Sequence, residues 1–148
     1  MSKVLIVGDP HEPFCLEGYF ELCKKTYKQY KCDKVVFIGD IIDSHFSSFH
    51  STDPDGLSAI DELNASIKKL RKWHKAFPGA TVIIGNHDRI VARKALANGI
   101  SAKWIKEFKD VLEVPTWNFT TDKVIDGVYY VHGEGATAFM KAKNQFRS

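Results

Sequence analysis

Val35-Val36-Phe37-Ile38-Gly39-Asp40-Ile41-Ile42-Asp43 is a short run of β-branched and aromatic residues, stopped by a glycine and followed at once by a carboxylate. A run of this length and composition, bounded by a turn residue, predicts a buried strand. The same order occurs twice more, in Lys3-Val4-Leu5-Ile6-Val7-Gly8-Asp9 and in Thr81-Val82-Ile83-Ile84-Gly85-Asn86. A fourth run, Val128-Tyr129-Tyr130-Val131, ends in the related order His132-Gly133. In an open α/β sheet, ligands bind beyond the carboxyl ends of the strands. Strands ending in Asp9, Asp40, Asn86 and His132 would therefore aim four ligand groups at one place. The neighbouring glycines would let the backbone come close there. A Gly-Asp or Gly-Asn pair taken singly is an ordinary turn signal after a strand. Four aligned strand ends, with His11, His87 and His132 added, ask for more than turns.

The totals bound the answer loosely. A chain of 148 residues with 44% hydrophobic side chains is one domain with a sizeable core. A net charge of +3 permits a phosphate-bearing partner without demanding one. Cys15, Cys23 and Cys32 are odd in number and form no C-x-x-C pair, so they read as free thiols in a reducing compartment. The start is too brief for a signal-peptide core, and no apolar run approaches membrane-spanning length. The expectation is a cytoplasmic protein, in the host cytoplasm if viral, with no membrane partner.

Along the chain, the two prolines of Asp9-Pro10-His11-Glu12-Pro13 exclude a helix and put Asp9 and His11 on a stiffened loop. Leu16, Phe20, Cys23, Tyr27 and Tyr30 recur at helical spacing, with Lys24, Lys25, Lys28 and Lys31 read as the solvated face. Residues 44–56 form a long polar connection without a period, and such loops tend to be functional or mobile. Its His45 and His50 read as solvated loop residues, with facing the substrate as the alternative. Leu57, Ile60, Leu63, Ile67, Leu70, Trp73 and Phe77 mark one helical face ended by Pro78-Gly79, on which His74 is a partly buried helix residue. A short helix closed by Asn98-Gly99 follows, then a helix from Ser101 that buries Trp104, Ile105 and Phe108. Strands are expected over 117–121, 123–125 and 128–131 with an Asp126-Gly127 turn, and a helical tail over 137–146.

Asp9, His11, Asp40, Asn86 and His132 offer oxygen and nitrogen without sulfur. Such a set suits manganese, iron, zinc, cobalt or nickel better than calcium, and imidazole argues against magnesium alone. A carboxylate such as Asp40 can bridge two cations. Paired ions about 3.5–4 Å apart can clamp a phosphoryl group and activate a water.

Asp9-x-His11, Gly39-Asp40-x-x-Asp43, Gly85-Asn86-His87-Asp88 and His132-Gly133, in that order and each at a strand end, resemble the calcineurin-like metallophosphoesterase superfamily. The resemblance covers nearly the whole chain. The small size and the Asp53-Pro54-Asp55-Gly56 loop are most similar to bacteriophage-encoded members. It implies an α/β fold, a single-domain sandwich of two mixed β-sheets flanked by helices, with a dinuclear centre at the strand ends. Two divalent transition metal ions are implied, manganese foremost, with iron, zinc, nickel or cobalt as the others. Asp9 and His11 would hold the first metal, Asp40 would bridge, and Asn86 and His132 would hold the second. His87 would stay off the metals and protonate the leaving oxygen or steady the phosphate. Asp43 would hold and polarise His87. Asp88 would be structural, meeting the positive end of the following helix. The activity implied is that of a phosphatase or phosphodiesterase, by in-line attack of metal-bound hydroxide on a phosphoester substrate.

Two features depart from the family pattern. No histidine follows His132, so the Gly-His-x-His element that usually closes the site is missing. The expectation is a chain without its C-terminal strands, truncated or split, each metal short of a histidine. A complementing chain or a second copy pairing on an open sheet edge would then complete it. Ser44 stands where protein Ser/Thr phosphatases of the superfamily carry an arginine after Asp43, which argues against a phosphoprotein substrate. Two other readings stay open. One is a nuclease whose Arg89, Arg93 and Lys94 track a DNA or RNA backbone. The other is a degenerate or split binding module that does no chemistry.

Overall fold

A computed structural model describes residues 1–48 and 53–133 of the chain. Four short strands, β1 (Val4–Val7), β2 (Lys34–Phe37), β3 (Thr81–Ile83) and β4 (Asn118–Thr120), form a parallel sheet in that order. β5 (Asp122–Ile125) and β6 (Val128–Val131) form a separate antiparallel hairpin across the Asp126-Gly127 turn. The helices are α1 (Tyr19–Gln29), α2 (Ala59–Ala76), α3 (Ile90–Ala97) and α4 (Phe108–Val111).

A parallel sheet has to be covered on both faces, and the strand alternation assigns the cover. Leu5, Val7, Val35, Phe37 and Val82 point to the side where Cys23 of α1 and Leu70 and Trp73 of α2 complete the main core. Val36 and Ile83 point the other way, onto Ile125 and Tyr130 of the hairpin. The result is two sheet layers with helices flanking the larger. Each sheet is of one kind among the described residues, parallel or antiparallel, rather than mixed. The fourth strand of the site, β6, therefore lies in the second layer, and His132 reaches the site from there. Among the described residues β1 pairs on one side only, and its Ile6 is 53% exposed.

The long helix carries the best local signals. Ser58 caps it by accepting the Asp61 N–H (3.2 Å), and Trp73 packs edge-on against Phe20 and Phe37, at ring-centre distances of 4.9 and 5.6 Å. Leu57 and Ile60 at its start are exposed. α1 begins only at Tyr19, so Leu16 lies outside it and exposed, as is Tyr30 at its end. The helix expected from Ser101 is broken. A single 3-10 turn, Ala102–Trp104, leads into extended Ile105 before α4 starts, and Trp104 is 85% exposed. The Ser101 hydroxyl accepts the Lys103 N–H, a cap that serves one turn and no more. The expected 137–146 helix lies outside the described residues. No helix among those described is long and apolar enough to cross a membrane.

Candidate metal centre

The site is built from loops at strand ends that are sewn to one another. His11 N–H donates to the Asp40 carbonyl (2.9 Å), Glu12 N–H to the Ile41 carbonyl (2.9 Å) and Asp43 N–H to the Glu12 carbonyl (3.0 Å). Asp9, His11, Asp40 and Ser44 all have positive φ, between 39° and 54°. Such conformations cost non-glycine residues about 1–3 kcal/mol each and persist only where the surroundings impose them. Asp88 does much of the imposing. Its buried carboxylate accepts the N–H groups of Asp40 (2.9 Å), Ile41 (2.9 Å), Ile42 (3.2 Å) and Gly85 (2.8 Å), tying the β2 end to the β3 end. Burial pushes its carboxyl up to about 6, against the pull of backbone donors. Asp88 is thus structural as expected, but through the β2 and β3 ends rather than through the dipole of α3. Close approach also requires Gly39, at φ +112°, and Gly85. A Cβ on the first would overlap the His132 ring, and on the second the Asp40 carboxylate.

Asp40 sits at the centre. Its Oδ1 accepts the His87 N–H (2.9 Å), and its Oδ2 lies 3.7 Å from His11 Nε2 and 3.5 Å from His132 Nε2. His11 Nδ1–H donates to Asp43 Oδ1 (2.8 Å), and His132 Nδ1–H donates to the Ile38 carbonyl (2.8 Å). With its proton on Nδ1 facing these acceptors, each ring presents Nε2 as a ligand atom toward Asp40. His132 Nε2 also lies 2.9 Å from Asn86 Oδ1, another acceptor. Nitrogen and oxygen atoms that can each offer a lone pair thus converge around Asp40, where a cation would be ligated by them. The donor set fits a divalent transition ion by this chemistry. Ligand atoms of His11, Asp40 and His87 come within 4.8 Å of one another, as do those of Asp9, Asp40 and His132, and the two groups share Asp40.

A family model for calcineurin-like phosphoesterases matches residues 2–147. The chain belongs to this family. No curated protein matches it.

In this member of the family, the residues expected as ligands are all brought together. Asp9 groups with His132, while His11 groups with His87. The Asp43 carboxylate accepts from His11 (2.8 Å) and lies 3.7 Å from His87 Nδ1, whose N–H donates to the Asp43 carbonyl (2.6 Å). The His87 ring stands edge-on to His11 at 4.6 Å. His45 is at the rim, its Nδ1 3.8 Å from Asp43 Oδ2, so it is not merely solvated; His50 lies outside the described residues. His74 bonds to Thr116 Oγ1 (2.7 Å), away from the site.

Two buried acids escape a reading of the sequence. Glu12 accepts Trp73 Nε1–H (2.8 Å), anchoring the first loop to the core, and Glu62 accepts the N–H groups of His45 (2.9 Å) and Phe46 (3.2 Å). Glu62 had a faint signal: with Ser66, Leu70 and Trp73 it continues the buried face of α2. Glu12 had none, because its partner is 61 residues away.

Proposed function

We propose that this chain is a phosphatase or phosphodiesterase working through two divalent ions, manganese first among them, that share Asp40. Family membership supports metal-dependent phosphoester hydrolysis in general. The observation that carries the finer reading is the Asp40 Oδ2 atom, flanked at 3.7 and 3.5 Å by the Nε2 atoms of His11 and His132.

Bound divalent ions supply the Lewis acidity that activates water and draws charge from phosphoryl oxygens. The chain's own residues do the rest. Asp9, Asn86 and His132 would hold one ion and His11 the other, with the Asp43 carboxylate fixing the tautomer and plane of His11. His87 has its Nδ1 proton committed to the Asp43 carbonyl, so its Nε2 is the atom that takes up or gives a proton. In the imidazolium form it presents Nε2–H to the leaving oxygen as a general acid.

Elemental analysis of manganese-supplemented protein beside Asp40→Asn and His87→Ala variants tests this. The expected result is two ions per chain in the parent, most of them lost in Asp40→Asn and both kept in His87→Ala. His87→Ala should lower turnover of an alkyl phosphodiester roughly 10²–10⁴-fold. Metal lost from His87→Ala would instead place His87 among the ligands, as its grouping with His11 and Asp40 allows. A folded, metal-loaded parent without hydrolysis would leave a binding module. Among the residues of a nucleic-acid track, Lys94 already donates to the Ser48 carbonyl (3.1 Å), which weakens the nuclease reading. Salt-dependent binding of an oligonucleotide would restore it.

A further inference from the structure

Behind the metal centre, on the helix side of the parallel sheet, lies a cavity of about 600 Å³. That is the size of a small-molecule site. Its wall is mostly apolar, with Phe46, Leu63, Val91, Ala92, Phe108 and Phe119 among the lining residues. Phe108 and Phe119 stack at 5.5 Å with their planes 21° apart, giving one flat aromatic side. Ser44 lines the same cavity, is only 3% exposed, and its hydroxyl has no hydrogen-bond partner among the described residues. A buried hydroxyl left unpaired costs about 1–3 kcal/mol, and Ser44 also holds a left-handed backbone at φ 54°. Neither cost serves the packing of the core.

We propose that this cavity binds a compact aromatic group bearing one hydrogen-bonding substituent, with the ring against Phe108 and Phe119 and the substituent paired to Ser44 Oγ. Occupancy bears on the metal centre through the chain itself. Ser44 directly follows Asp43, whose carboxylate orients His11 and whose carbonyl orients His87. The next two residues are pinned by Glu62, which also lines the cavity. The aromatic group can belong to the phosphoester substrate or to a separate effector, and the link to turnover rests on the hydrolase reading.

The test begins with metal-free full-length protein, so that it stands apart from catalysis. Binding of 2-naphthol and of naphthalene is measured by ligand-observed NMR in the parent, Ser44→Ala and Ala92→Trp. Ala92 lines the cavity from α3, a helix with no buried residue, so the larger side chain should fill the space without unfolding the protein. The parent should bind 2-naphthol about fivefold tighter than naphthalene, the worth of one hydrogen bond. Ser44→Ala should erase that preference, and Ala92→Trp should abolish binding of both with an unchanged melting curve. Absence of binding in the parent, no preference for the hydroxyl, or binding that survives Ala92→Trp would each overturn the proposal. With manganese added, a lower KM for 2-naphthyl phosphate than for methyl phosphate, lost in Ala92→Trp, assigns the group to the substrate. A changed kcat on methyl phosphate when 2-naphthol is present assigns it to an effector. A parent that binds 2-naphthol and hydrolyses nothing refutes the hydrolase reading and leaves the cavity standing.

Discussion

Asp43 serves two histidines with two different atoms. The carboxylate takes the Nδ1 proton of His11, and the backbone carbonyl takes that of His87. Side-chain replacement therefore separates the two roles. Asp43→Asn keeps the carbonyl that accepts from His87, but removes the charged acceptor that fixes the tautomer and plane of His11. Manganese affinity should fall about 10–100-fold, the usual effect of losing such a partner. Turnover at saturating metal should fall much less than in His87→Ala. Isothermal titration with manganese, paired with kcat at saturation, checks the split, and an unchanged affinity would remove Asp43 from the support of His11. The residues of this arrangement are legible in the sequence because each follows a strand and a glycine. Their pairing is not. Which histidine takes which oxygen depends on how the loop after β1 lies across the loop after β2, and hydrogen bonds such as His11 to Asp40 fix that only in the folded chain.

At the scale of elements, the strand-glycine-ligand order works because sheet strands stop where side chains must begin to converge. Gly85 shows the tolerance. A methyl group there would meet both the carboxylate and the amide nitrogen of Asp40, whereas one on Gly79, at the start of the same strand's approach, would meet nothing within 4 Å. Gly85→Ala should destabilise the fold by about 1–3 kcal/mol through overpacking and cost most of the bound metal. Gly79→Ala should leave both within error. Urea titration and metal content of the two variants make the comparison, and equal effects would mean that close approach at Asp40 is not what Gly85 provides. Local pattern was enough for the three repeated strands, for the β5–β6 hairpin and for α2, whose apolar face is buried at Ile67, Leu70 and Trp73 while Ile60 at its start stays exposed. It misjudged 101–108, where three apolar residues mimic a helical stripe. There the fold spends Ile105 and Phe108 on half-buried packing and leaves Trp104 outside. Buried acids were the larger gap. Glu12 and Glu62 are held by partners 61 and 17 residues away, distances over which no sequence period operates.

Across the whole molecule, the candidate metal centre joins the two layers. Asp9, Asp40 and Asn86 follow strands of the parallel sheet, and His132 follows β6 of the hairpin. The apolar contact between those layers is small, with Val36 and Ile83 facing Ile125 and Tyr130. The hairpin is thus the part of the described fold with least core of its own, and two-stranded hairpins are marginal without added contacts. Ions bound only by the folded state add RT ln(1 + [L]/Kd), about 2.7 kcal/mol at a hundredfold excess over Kd, or roughly 5–10 °C in melting temperature for a chain of this size. The gain should be uneven. Hydrogen exchange of the β5 and β6 amides should slow on adding manganese, and it should slow far less in His132→Ala, which keeps the ligands of the parallel sheet but cuts the tether to the hairpin. The Ile38 carbonyl would lose the His132 proton in that variant as well, so the comparison is made between metal-free and metal-loaded samples of each protein. Hairpin amides that exchange equally fast with and without manganese in the parent would mean that the centre closes within the parallel sheet alone and that His132 is held there by Ile38 and Asn86 for packing.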